Sequence, residues 1–183
     1  MQSLLTLFRE ATSASHETLD GAFGSLDLST RADYVRFLTG HAIGMAPLFS
    51  GFRSFVEGEL QRECPDYLAM LGGDLAALGL DSADLPQVAP PSPLSAPATV
   101  YVVAGSRLGL AMIRKGGYWG REHGLPSAYM EDDAGRAIWK DLVARFKAEV
   151  PDAGTAAREC AAAIAAFDTF REAFAASALD AAR

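Results

Sequence analysis

The segment FREATSASHETLD, residues 8–20, decides how the chain is read. At 3.6 residues per turn, Arg9, Thr12, His16 and Asp20 fall on one side of a helix, with Leu5, Phe8, Leu19 and Phe23 flanking that side. The same helical period continues almost everywhere along the chain. Alanine and leucine are abundant, and the β-branched residues that strands prefer are sparse, so the expected fold class is all-α.

The spacing predicts a first helix from about Ser3 to Phe23. SLDLSTRAD breaks it, and Thr30-x-x-Asp33 resembles a capping box for a second helix running from near Arg31 to about Gln61, with Gly44 and Pro47 bending it. A third helix is expected from Pro65 to Gly79. Prolines at 86, 90, 91, 93 and 97 make residues 80–97 an extended strap, read as an internal crossover because neither flank is long enough to close a core alone. Helices then follow from Ala98 to Lys115, near 127–149 and from 153 to 178, the last capped by Asp152, with GGYWGREHG as a loop. One domain over residues 1–183 is expected.

A net charge of −7 and the absence of a dense Lys/Arg stripe argue against nucleic acid and against an anionic membrane surface. The N-terminus does not read as a signal peptide, and no stretch reads as apolar enough to span a bilayer. Cys64 and Cys160 are expected as free thiols in a reducing cytoplasm. Cys64-Pro65 matches a heme-regulatory dipeptide, though proline in the first turn of a helix is the plainer reading. A monomer is expected. HExxH, ExxH, CxxCH, a P-loop and GxGxxG are all missing, which removes support for zinc hydrolase, di-iron, covalent-heme and nucleotide chemistry.

His16 admits two readings. It is either a core imidazole satisfied by Asp20, or an axial iron ligand whose other ring nitrogen Asp20 orients while Arg9 meets a carboxylate at the edge of a planar cofactor. A second segment bears on the choice. VYVVAGSRLGLAMIRK, residues 100–115, is an apolar helix interrupted by Gly105 and Gly109, each costing about 1 kcal/mol relative to alanine. Either another helix packs closely there, or something flat lies against the backbone. His41 and His123 read as a helix residue with a local hydrogen bond and a loop surface residue, and Phe167 and Phe170 as core of the last helix; a place in the lining of a pocket is the alternative for His41, Phe167 and Phe170.

REATSASHETLD resembles the proximal helix of heme oxygenases, and YVVAGSRLG resembles the distal helix of their bacterial, biliverdin-producing form. The order of elements and the length fit over essentially the whole chain, while the sharp motifs cover those two segments. The resemblance implies a single-domain helical bundle with heme sandwiched between a proximal N-terminal helix and a glycine-bent distal helix. It implies His16 as proximal iron ligand, Arg9 near a propionate, Asp20 as the acidic partner of the histidine, and Thr12 on the same face. Gly105, Ser106 and Gly109 would form the distal wall, and Arg136, Lys140 and Arg145 would supply further propionate contacts.

The activity implied is cleavage of heme, at once substrate and cofactor, with O2 and electrons to biliverdin, CO and ferrous iron. A ferredoxin or reductase would donate the electrons, and a bacteriophytochrome is one acceptor for the bilin; iron release is the other use. Ala104 and Leu110 depart from the family pattern of glutamate and a small residue, which leaves open a heme-binding or heme-sensing protein without turnover. A helical module in which His16 and the glycines only pack is the third reading.

Overall fold

The computed structural model describes residues 2–180, with side chains to residue 178. All regular structure among the described residues is helical: α1 (Leu4–Gly24), α2 (Arg31–Ser54), α3 (Tyr67–Ala77), α4 (Ala96–Gly116), α5 (Trp119–Glu122), α6 (Ala128–Glu131), α7 (Ala134–Ala148) and α8 (Ala153–Asp180). α2 is the central element, lying along α8 and also packing on α3 and α4, while α1 rests on α8 and α7.

Local chemistry sets the helix ends. Ser3, Thr30, Asp66 and Ser95 each accept a backbone N–H of the first turn of α1, α2, α3 and α4. Asp152 caps α8, accepting from Gly154 N and Thr155 N. Only half of the capping box expected at Thr30 forms, because the Asp33 carboxylate accepts instead from Asp27 N at 2.8 Å.

Three boundaries differ from the sequence reading. α2 stops at Ser54 and passes into a π-helical turn, Phe55–Glu59, closed by Gln61 at φ 51° with its amide donating to the carbonyls of Glu57 and Gly58. α4 begins at Ala96, since Ser95 caps it and Pro97 is tolerated in a first turn whose N–H groups have no helical acceptor. The helix expected near 127–149 is broken at Asp132, whose carboxylate accepts from Ala134 N and Gly135 N and so starts α7 anew. The strap also contains a 3₁₀ turn at Ser82–Asp84, and the glycine-rich loop contains α5.

By length and composition, Ala96–Glu122 is apolar enough to cross a membrane, contrary to the sequence expectation. Here α4 is packed against α2, α7 and α8, with Val100, Val103 and Ala104 fully buried. Cys64 and Cys160 are free thiols.

Glycine matters at Gly44. A Cβ there would lie 2.4 Å from Phe170 Cδ1, so the missing side chain lets α8 seat its aromatic ring against α2. The sequence had offered Gly44 only as a bend.

Candidate functional site

The buried face of α1 stops at Thr12. Beyond it, α1 borders a cleft of about 580 Å³, within the range of small-molecule sites, while Leu19 and Phe23 still pack against the core. Arg9, Thr12, His16 and Asp20 form one wall, and Gly105, Ser106, Gly109 and Leu110 of α4 line it as well. His41, Phe23, Phe37 and Phe170 contribute aromatic surface, and Phe167 and Trp139 complete the lining. Thus two segments ninety residues apart in the chain meet across one space.

His16 is no core residue. Its side chain is 59% exposed, and Nδ1 lies 3.0 Å from Asp20 Oδ2, while no hydrogen bond engages Nε2. The Phe167 ring lies 5.8 Å from the imidazole, centroid to centroid. This arrangement holds the ring by one nitrogen and leaves the other as a ligand atom. Arg9 makes no ion pair or hydrogen bond among the described residues and lines the cleft, so its guanidinium faces a space where an anion could sit. Thr12 and Ser106 also line it, but each hydroxyl donates into its own helix, to Phe8 O at 2.7 Å and Val103 O at 2.8 Å.

The two glycines differ. A Cβ on Gly105 would meet the Trp139 ring at 3.3 Å, whereas one on Gly109 would meet nothing within 4 Å. Gly105 therefore serves close packing of α4 on the α7 indole, and Gly109 leaves open space. Leu110 is buried and lines the cleft, while Ala104 is fully buried and takes no part in the lining.

Arg136, Lys140 and Arg145 are not brought to the cleft. Arg136 and Lys140 are exposed on α7 beside Trp139 in sequence, and Arg145 pairs with Glu59 and covers the Phe55 ring. Three consecutive turns of α7 point in directions that the loose register of residues 136–145 did not reveal.

His41 carries more than the local hydrogen bond read from sequence. Nδ1 is 2.9 Å from Phe37 O, and the ring sits among Phe23, Phe37, Tyr129 and Phe170 at the cleft wall. Burial, with a smaller contribution from the Arg107 charge, outweighs the Phe37 hydrogen bond and pushes its pKa down to about 4, so it is neutral near pH 7. With Nδ1–H donating to Phe37, Nε2 is left as an acceptor. His123 is a surface residue stacked on Trp119 at 4.4 Å. Phe167 and Phe170 are both buried and cleft-lining, so the core and pocket readings of these residues coincide.

Trp139 lines the cleft although no motif in the sequence marks it. Its signal was a tryptophan just off the Gly135, Ile138, Leu142 and Phe146 stripe of α7. No group of three or more His, Cys, Asp or Glu side chains is placed to hold a metal ion among the described residues. Comparison with protein-family models, curated proteins and solved structures finds no match to this chain.

Proposed function

We propose that the chain is a heme oxygenase, with the cleft between α1 and α4 as its heme site and cytoplasmic heme as substrate. One observation carries the reading: His16, held at Nδ1 by Asp20 and free at Nε2, shares a mostly apolar cleft with the open backbone of Gly109. A planar tetrapyrrole needs such a slot, one neutral nitrogen for its iron, and a cation for its carboxylates. His16 supplies the nitrogen and Arg9 the cation, while Gly109 leaves room for the ring to approach the helix.

Heme bound there would react with O2 and electrons to give biliverdin, CO and ferrous iron, the protein contributing position and polarity. Phe23, Phe37 and Phe170 give the site an aromatic wall that would exclude water where heme packs against it. Leu110 favours a second reading, heme binding without turnover, because it brings a branched side chain to the lining next to Gly109.

The test is titration of the purified protein with hemin, followed in the same cuvette by ascorbate under air. A saturable Soret band that decays into biliverdin absorption supports the oxygenase. A stable band supports the second reading, and no band removes both.

A further inference from the structure

Behind the cleft wall lies a guanidinium in an unusual setting. Arg107 follows Ser106 on α4 but turns inward, 2% exposed, between the rings of Tyr67 and Tyr129 at 4.6 Å from each centroid. Nη2 donates to the carbonyls of Tyr129 and Asp132, whereas Nε and Nη1 are buried with no partner. The nearest carboxylate is Asp132, and its Oδ2 is 3.6 Å from Nη2.

That carboxylate is shared. It also accepts from Tyr67 Oη at 3.0 Å and from Ala134 N and Gly135 N at 3.2 Å. The 3.6 Å separation lets the Asp132 charge offset that of the guanidinium only in part, and burial keeps water from screening what remains. Gly135 belongs to the same design, since a Cβ there would lie 2.4 Å from Arg107 Cγ. The charge is continuous with the cleft through Tyr129, whose ring lies 5.6 Å from that of cleft-lining His41 and whose hydroxyl is itself buried and partnerless.

We propose that Arg107 is a positioning residue: a fixed positive charge behind the cleft wall that favours anionic over neutral ligands on the iron of bound heme. The inference rests on the proposed heme site. Its chemical consequence would be selective stabilisation of negative charge on a ligand of the bound iron. Burial is the main cause of the depressed pKa of His41, and the Arg107 charge contributes in the same direction, opposing a proton at the wall.

The experiment compares azide, an anion, with imidazole, a neutral ligand, for affinity to the ferric hemin complex. At an effective dielectric constant of about 20, a unit charge about 10 Å from an anion is worth about tenfold in affinity, and Asp132 would offset part of it. Arg107→Met is therefore expected to weaken azide about fivefold relative to imidazole, and Asp132→Asn to tighten it about threefold. Arg107→Lys should keep the parent ratio. Opposite shifts from the two neutralising substitutions cannot come from general loosening of the fold, which would move both ligands together.

An azide-to-imidazole ratio unchanged in both Arg107→Met and Asp132→Asn overturns the inference while leaving the heme site standing. Should Arg107→Met fail to fold, Asp132→Asn alone decides by the sign of its shift. Failure of the parent protein to bind hemin overturns the inference and the proposed function together.

Discussion

His16 Nδ1 and Asp20 Oδ2 lie 3.0 Å apart, one helical turn from each other on a stretch of α1 that borders the cleft. The pairing selects the tautomer that presents Nε2 as a lone pair, and a carboxylate partner raises the basicity of a ligating imidazole. Asp20→Asn is expected to weaken hemin binding about tenfold and lower the iron–histidine stretching frequency of the ferrous complex. His16→Ala should remove histidine ligation altogether. Resonance Raman spectra of the three proteins check both, and an unchanged spectrum in His16→Ala would sink the ligand assignment.

Gly109 and Gly105 should respond differently to alanine. A methyl group at Gly109 enters open space, so Gly109→Ala should stabilise the apoprotein by about 1 kcal/mol through helix propensity while weakening hemin binding. At Gly105 the methyl group meets Trp139 at 3.3 Å, so the propensity gain is offset by displacement of the indole. Urea unfolding paired with hemin titration separates the two, and equal effects at both positions would count against distinct roles.

Filling Gly44 should act on the cleft from behind. The Cβ of Gly44→Ala would overlap the Phe170 ring at 2.4 Å, and Phe170 is part of the lining. A loss of about 1–3 kcal/mol is expected, together with weaker hemin binding. The double variant Gly44→Ala, Phe170→Leu should recover part of the stability. No recovery would show that the ring is not what the methyl group meets.

His41 predicts a pH window. Its folded pKa, about 4, lies below the unfolded value near 6.5, so between these the unfolded chain binds a proton that the folded one does not. Stability from this group is therefore complete above about pH 6.5 and falls as the pH drops towards 4, by up to about 3 kcal/mol. His41→Gln should flatten that part of the profile. Urea midpoints of parent and variant at pH 7 and pH 4.5 give the difference, in which the carboxylates common to both cancel; parallel profiles would disprove it.

Much of the helical architecture was legible because helices declare themselves locally. Ser3, Thr30 and Asp152 accept N–H groups within a few residues of themselves, and the apolar stripes need no distant partner to be seen. The least legible boundary depends on a remote contact, and one cap on a competing one. Asp132 breaks the long helix expected near 127–149 while binding Tyr67, sixty-five residues away, and Asp33 leaves its box for the backbone of Asp27. The candidate site divides in the same way, with the four positions of α1 on one face as their spacing required and Arg145 drawn off by Glu59.

The sequence by itself determined the helical class and the common face of Arg9, Thr12, His16 and Asp20, because both depend on a period of 3.6 residues and nothing further. It also determined that two glycines interrupt an apolar helix. Only the tertiary structure decided that α1 and α4 border one cleft, that Gly105 answers to Trp139 while Gly109 stays open, that His41 lines the cleft and that Arg107 stands behind its wall. These are relations between segments distant in the chain. Close packing sets them, since the volume left by each missing side chain fixes which ring or charge of another helix can enter.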